Sequence, residues 1–518
     1  MRLGLQDISL RKGFFLAFVS GFIVRLVPEL LSFPHPIGFD TVYYATRMKN
    51  GIVWNHWSSF FFTWLIYAIF VPMYSLIRVD PFLLLKVVGP LLYGGSTAGI
   101  YYFAWKGLNW SAKKSLLAAA FFAFQLAALR ISWDLYRNVF GLMLLLFALP
   151  FFKKIESGKE LALLAVLSLL VVFGHEFASV MMLAVILWLM VNGFLRKEKK
   201  IPYRVLIAIL PAFIVFLGSI YFRMSPAFIR VETNVIRVND SLNPHPGGLF
   251  FLVDYLKVDN SVQHYANYFE LVSHVASLFV LLYLVWLPLV LVGFFRDNVL
   301  DAWTILLLVG SFSCLAIPFG ALDLWNRWMF MLVYPLTFYA VNGLWKALKS
   351  QDKGVASGLR WMNWIKVSKK GAIRISLVTV LLGSLFMIWP LIFGSIGLFC
   401  IPTTCRYVPS TMQSSSLPLQ DTEGTVEAIE WLNRHMADGS SVLVHHVFFF
   451  WTKLYLDENH VVVLFTSNLE AALNLALENG FSSIYFVWWN EDIGWHGLTV
   501  PSDFVPVFKS GRISVFEY

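Results

Sequence analysis

Residues 160–195 read ELALLAVLSLLVVFGHEFASVMMLAVILWLMVNGFL: two apolar runs, 160–174 and 178–195, joined by a polar step at His175-Glu176. Each run is shorter than the roughly 20 residues that cross hydrocarbon comfortably, so length alone does not decide what they are. Their flanks do. Basic clusters stand at 153–159 before the pair and at 196–204 after it. Lys and Arg collect in the cytoplasmic loops of membrane proteins. Two apolar runs that leave and return to basic linkers read as a membrane hairpin, with His175-Glu176 at its outer turn.

The same reading extends along the chain. Apolar runs fall at 13–31, 60–78, 82–104, 115–129, 139–152, 204–222, 274–295, 299–318, 328–346 and 375–399, besides the two above. The composition agrees: 58% hydrophobic, 14% charged, with a mean hydropathy of +0.68. A soluble domain carries roughly a quarter charged residues, and this chain lacks the polar surface for that state. The first run carries Arg25 and Glu29 and has no small-residue cleavage site, so it reads as a retained helix rather than a signal peptide. Further basic clusters lie at 106–114 and 346–374, and all four share one side if 60–78 does not fully cross. The expected fold is mainly α: a polytopic membrane helix bundle of about eleven spans plus a re-entrant or surface helix at 60–78. Its amino terminus is cytoplasmic in the cell membrane, and its excess positive charge lies on the inner side. The net charge of +9 is then topogenic, and nucleic-acid binding is not needed to explain it.

Three long segments fall on the outer side: 32–81, 223–273 and everything after 400. The chain divides into a transmembrane domain (1–399), a linker (400–420) and an extracytoplasmic α/β domain (421–518). In the last, 425–434 reads as an amphipathic helix, with strands at 441–444, 461–465 and 483–488. Ser467 with Glu470 forms a capping box for a further helix ending near Gly480. His445-His446 continue the first strand, which sends their side chains to opposite faces. Cys400 and Cys405 pair if the compartment is oxidising, and Cys314 reads as a small core residue.

Ionisable groups gather at the outer ends of the runs. They are Asp40 in Gly38-Phe39-Asp40-Thr41-Val42-Tyr43-Tyr44, Asp134 in Ser132-Trp133-Asp134-Leu135-Tyr136-Arg137, His175-Glu176, and Asp323 with Arg327. Charge at membrane depth is costly, which makes function the default hypothesis. Plainer accounts stand beside it. Asp134 pairs with Arg137 at i,i+3, Arg25 with Glu29 at i,i+4, His175 is an interfacial histidine, and Arg327 snorkels from a helix end. The chain has no HExxH, CxxC, Walker loop or GxSxG, and the Asn239-Asp240-Ser241 sequon is a weak signal alone.

Taken in order, these motifs resemble the GT-C class of membrane glycosyltransferases, in layout nearest to the oligosaccharyltransferase catalytic subunit. Gly38-Phe39-Asp40 with Tyr43-Tyr44 resembles the first acidic motif of that class, and Leu129-Arg130-Ile131-Ser132-Trp133-Asp134 the second. Arg327-Trp328-Met329-Phe330 resembles the helix whose Arg contacts the carrier-lipid phosphate. Ala428-Ile429-Glu430-Trp431 resembles the opening of the outer domain. The resemblance implies transfer of a sugar from a polyprenyl-phosphate donor to a glycan, lipid or protein acceptor on the outer face. Asp40 and Asp134 would be catalytic, and Arg327 and Tyr43 would bind substrate. A divalent cation, Mg or Mn, would be held by Asp40, Asp134, His175 and Glu176. The chain departs from the pattern at two places. It carries His446-Val447-Phe448-Phe449-Phe450 where that subunit has WWDYG, and one carboxylate where the second acidic motif usually has two. A transporter or flippase of a lipid-linked substrate, and a non-catalytic scaffold of a cell-surface glycan assembly complex, are the competing readings. The first should show two related halves, which the sequence lacks.

Overall fold

The computed structural model describes residues 9–38, 40–51, 60–153, 155–195, 203–223, 234–238, 268–317, 324–350, 355–356, 365–393, 411–412, 417–490 and 498–518. Apolar chain in hydrocarbon must satisfy its own N–H and C=O groups, and here it does so as helices. The first seven named below are α1 (Leu10–Leu31), α2 (Thr41–Asn50), α3 (Leu65–Ile77), α4 (Pro81–Tyr102), α5 (Ala112–Ala123), α6 (Leu126–Asp134) and α7 (Tyr136–Ala148).

Among the described residues seven helices are long and apolar enough to cross a membrane: Leu10–Leu31, Pro81–Gly107, Tyr136–Lys153, Glu176–Leu195, Tyr203–Phe222, Asn298–Leu315 and Lys369–Ile388. Two more pairs qualify as bent units, α5 with α6 at 64° and Tyr268–Tyr283 with Leu287–Gly293 at 69°. The structure thus gives seven such helices, or nine with the bent pairs, against the eleven or so expected. Gly158–Gly174 has 17 residues, and the stretch from Trp325 to Lys349 is interrupted at Leu332. The break between α5 and α6 has a visible cause. The Gln125 side-chain oxygen accepts from the backbone N–H of Ala127 and Ala128 at 2.6 and 3.1 Å, and its amide donates to the Leu282 carbonyl at 2.8 Å. A side chain has replaced the backbone bonds that would have continued α5. α3, at 13 residues, spans about 20 Å and falls short of a bilayer's hydrocarbon thickness.

Burial separates centre from rim. The windows in Tyr136–Lys153 and Pro81–Gly107 are 78% and 72% buried, whereas those in Tyr203–Phe222 and Lys369–Ile388 are 28% buried. The latter expose Ile207, Leu210, Ile214, Leu377 and Leu381, as a lipid-facing surface requires. At the centre α1 lies close on α4. Thr97 donates to the Ala17 carbonyl at 2.8 Å, and a side chain at Gly94 would meet the Phe18 carbonyl at 2.9 Å. Small residues bring the two backbones together where no hydrophobic force acts between helices.

The two ends of the bundle differ in chemistry. At one, the basic linkers touch each other: Lys106 pairs with Glu160 at 3.2 Å, Lys153 with Asp297, and Lys153 donates to the Gly107 carbonyl at 2.6 Å. Lys114 donates to Asn342 at 2.6 Å and Lys346 to the Val292 carbonyl at 3.2 Å. At the other end stands an α/β domain on a six-stranded sheet. Its strands are β1 (Val235–Arg237), β4 (Ser440–His445), β5 (Val461–Phe465), β6 (Ser483–Trp489), β7 (Val505–Ser510) and β8 (Ile513–Glu517), in the order β1-β5-β4-β6-β8-β7. The first four run parallel, and β8 and β7 close the sheet antiparallel. A separate two-stranded ladder, β2 (Val355–Ala356) with β3 (Lys366–Val367), lies between the helices Val333–Lys349 and Lys369–Phe393.

Strands expected at 441–444, 461–465 and 483–488 are present. So is the amphipathic helix, as Leu419–His435. Two readings need correction. His446 does not continue the strand: it opens a helix, His446–Tyr455, with His445 as its cap, and the two imidazoles lie 4.2 Å apart rather than on opposite faces. The helix Leu469–Glu478 is capped by Asn468, whose side chain accepts from the Ala471 N–H at 2.9 Å, not by Ser467. Cys314 is buried, as expected of a small core residue, and its thiol donates to the Ser311 carbonyl at 3.8 Å. Cys400, Cys405, Asp323 and the Asn239 sequon lie outside the described residues.

Strand β1 comes from the segment 223–273 and adds to the edge of β5, and Arg237 lies 5.6 Å over the Phe449 ring. α2, from the segment 32–81, docks on the helix His446–Tyr455. Thr46 donates to the Phe450 carbonyl at 3.2 Å, Lys49 to that of Leu454 at 2.6 Å, and the rings of Tyr43 and Phe450 are 5.0 Å apart. Parts of the segments 32–81 and 223–273 therefore meet the α/β domain in one body.

Candidate functional site

Asp40 precedes α2, and Asp134 ends α6. The chain between α1 and α2 lies directly on the end of α6: a side chain at Gly38 would sit 2.6 Å from Asp134 Cβ and 2.7 Å from the Trp133 carbonyl. Gly38 has φ of 98°, so the residue there must be glycine on both counts. This close approach puts the two carboxylates in one electrostatic field. Burial, then the charge of Asp134, pushes the Asp40 carboxyl up to about 6, against the pull of Arg327, Arg137 and Arg130.

The neighbouring charges are mostly committed. Asp134 is buried and accepts from Arg130 Nη1 at 2.6 Å, an i,i+4 pair on α6. The expected partner, Arg137, is elsewhere. Its side chain donates to Thr63 Oγ1 at 2.9 Å and stands 4.0 Å from Glu176, to which Thr63 also donates at 2.9 Å. The i,i+3 alternative fails because Leu135 leaves helical geometry, with φ −91° and ψ 52°, so that Arg137 starts a new helix facing another way. Arg130 also donates to the Thr411 carbonyl at 3.0 Å and lies 5.6 Å over the Phe330 ring, joining the site to the linker and to the helix that bears Arg327.

Asp40 and Arg327 are different. Among the described residues neither side chain has a hydrogen bond or an ion pair, although each is half-buried and the two feel one another's charge. Beside Asp40 stands an aromatic wall. Tyr67 donates to Tyr43 at 3.2 Å, the Tyr44 hydroxyl accepts from the Arg137 N–H at 3.2 Å, and Arg47 lies 5.3 Å over the Tyr43 ring. Tyr43 thus stands among Tyr44, Tyr67, Arg47 and Phe450.

His175 and Glu176 are adjacent, with His175 Nε2 3.7 Å from the Glu176 carboxylate and its Nδ1 accepting from the Phe177 N–H at 3.2 Å. They group with Arg137 and Thr63. Among the described residues no three His, Cys, Asp or Glu side chains converge as a metal cage would need. The four residues proposed as ligands fall into two pairs, Asp40 with Asp134 and His175 with Glu176.

Sequence reasoning missed Arg130, Thr63 and Lys86, and gave Arg137 the wrong partner. Arg130 sits in the quoted motif four residues before Asp134, a spacing that could have found the pair. Thr63 and Lys86 carry no local signal, because their partners lie more than fifty residues away. The chain matches no protein-family model, and no curated protein sequence matches it.

Proposed function

We propose that this membrane protein is a GT-C-like glycosyltransferase that moves a sugar from a polyprenyl-phosphate carrier to a glycan, lipid or protein acceptor on the outer face. The observation that carries the reading is the pair of uncommitted charges at one mouth. Asp40 is a carboxylate and Arg327 a guanidinium, with no protein partner among the described residues, while the ions around them neutralise each other. A charge kept half-buried and unpaired is expensive unless a ligand completes it. Arg327 suits a phosphate, which a guanidinium engages by two parallel bonds. Asp40, titrating near 6, suits removal of a proton from an acceptor hydroxyl at neutral pH. The tyrosine wall offers flat faces and hydroxyls for a sugar. Asp40 with Asp134 forms the pair best placed to share a divalent cation with the donor's phosphate, Mg²⁺ or Mn²⁺ by ligand type. His175 and Glu176 belong to a neighbouring cluster.

The topology supports the same reading. α2 and β1 dock on one domain, so an even number of crossings must separate them. Six segments do so, from α4 to the helix Tyr203–Arg223, provided that α3 does not cross. Counted this way, with Gly158–Gly174 and the interrupted stretch 325–349 included, the spans number about eleven. The amino terminus is then inside with the basic linkers, and the α/β domain outside.

Two measurements test this. The purified protein in nanodiscs, given a radiolabelled polyprenyl-phosphate sugar, should transfer label to membrane or peptide acceptors, and Asp40→Asn should not. Failure of the wild type with every such donor would overturn the reading and favour the scaffold. A reporter after Tyr518 that is active only in the cytoplasm would overturn the topology.

A further inference from the structure

Beneath the site lies a cluster of charge that no ligand reaches. Arg25 and Glu29 on α1 and Lys86 on α4 are all buried, Arg25 with 0% of its surface exposed. Arg25 Nη2 pairs with Glu29 Oε1 at 2.8 Å, and Lys86 pairs with Glu29 Oε2 at 3.2 Å. A helix pair alone would account for Arg25 and Glu29, but the outer bonds of the cluster point elsewhere. Arg25 Nε donates to the Ser132 carbonyl at 3.2 Å and Nη2 to that of Trp133 at 3.4 Å. These are carbonyls of the last turn of α6, the turn that ends at Asp134. Lys86 donates to the Glu29 carbonyl at 3.0 Å and to Ser32 Oγ at 2.8 Å, the end of α1 from which the chain runs to Asp40. The room for this comes from Gly89, where a side chain would meet Arg25 at 3.3 Å and Glu29 at 3.5 Å.

We propose that Arg25, Glu29 and Lys86 form a positioning triad that ties the Asp40 turn to the Asp134 turn. Each cation holds the carbonyl end of one helix, where the helix dipole favours positive charge. Glu29 joins the two cations, so neither turn shifts without the other. The separation of the two carboxylates is then set by α1 and α4 from within the bundle, not by the outer loops. The structural part stands without the glycosyltransferase reading. Its consequence for turnover rests on that reading.

The test is hydrogen–deuterium exchange on the full-length protein in nanodiscs, which needs no substrate, joined to the transfer assay. Arg25→Met should speed exchange across residues 130–136 by about tenfold or more, as loss of two charge-assisted bonds implies. Lys86→Met should do the same across 30–41 and leave 130–136 less affected. Arg25→Lys guards against misfolding: it keeps the charge beside Glu29 and loses the fork, so only 130–136 should loosen. In the transfer assay Arg25→Lys should lower kcat with little change in donor KM, because it touches no substrate. Uniform loosening of α1 and α4 with 130–136 unchanged would reduce the triad to helix packing and overturn the proposal. So would an Arg25→Lys protein that matches wild type in exchange. A wild type without transfer activity would sink the function and leave the exchange result standing.

Discussion

Two groups of charge sit at either end of one short turn and are built in opposite ways. Arg25, Glu29 and Lys86 are sealed from solvent, and each finds partners within the protein. Asp40 and Arg327 are half-buried and, among the described residues, find none. Burying charge is tolerable when opposite charge and hydrogen bonds surround it, and costly otherwise. The first group meets that condition, so its role is to hold shape. The second does not meet it, and on the proposed reading a charged ligand completes it.

The comparison breaks most visibly at Asp40. Asp40→Asn should lower transfer by a factor of about 10² to 10⁴, the usual size of a lost general base. Thermal unfolding should show no matching loss of stability. The sign follows from the raised titration of Asp40. The folded protein holds this proton up to about 6 instead of 3.8, so its stability contribution is full below pH 4 and lost as the pH rises through 6. At pH 7 the Asn variant escapes the cost of a buried carboxylate and should be at least as stable as wild type; at pH 4 the two should coincide. Destabilisation at pH 7 would mean that Asp40 is structural.

Glu29→Gln is the opposite experiment. It leaves two buried cations without their anion, a change that typically costs about 3–5 kcal/mol in a buried pair. The midpoint of thermal unfolding should fall well below that of Asp40→Asn. If the two variants unfolded alike, the division between a paired and an open group would be lost.

How much of this was legible in the chain follows the same division between local and distant causes. Helical runs, basic linkers and the strands at 461–465 and 483–488 are written in periodicity and composition, which act over a few residues. Asp40, Asp134 and Arg327 stood out because charge next to apolar runs is rare. What was hidden depends on residues far apart. The addition of β1 to β5 joins positions 235 and 462, and no pattern within either strand announces it. Sequence spacing offered Arg137 as the partner of Asp134, and the backbone at Leu135 turns Arg137 away and leaves that place to Arg130. The bend at Gln125 hid two short helices inside one apolar run. His446 was misread because a strand and a following helix meet without the glycine or proline that commonly marks such a change.

Arg327 sharpens the comparison by separating binding from turnover. With no protein partner among the described residues, its loss should cost the fold little. Arg327→Ala should raise donor KM about 10- to 100-fold, the worth of a charge-assisted contact to phosphate, with kcat less affected when binding is near equilibrium. Arg327→Lys should recover part of it, because a point charge replaces a fork. Equal loss in both variants, with KM unchanged, would place Arg327 outside the donor site.

The smallest effect is expected at Glu176, which stands between the two kinds of group. It accepts from Thr63 and lies 4.0 Å from Arg137, so it is partly committed, yet it is only half-buried and sits beside His175. Glu176→Gln keeps the shape and the bond from Thr63 while removing the charge that faces Arg137. An exposed or half-exposed pair of this kind contributes about 0–1 kcal/mol, so unfolding should move little. The freed guanidinium of Arg137 also raises the positive field on Asp40, which should draw the titration of Asp40 downward from about 6. The readout is the acid limb of the transfer profile, measured at saturating donor and at several concentrations of Mg²⁺. A limb displaced to lower pH with unchanged Mg²⁺ dependence would make Glu176 an electrostatic neighbour of the site. A loss of Mg²⁺ dependence would instead make Glu176 a ligand, and would require the two carboxylate pairs to close on one another when the donor binds.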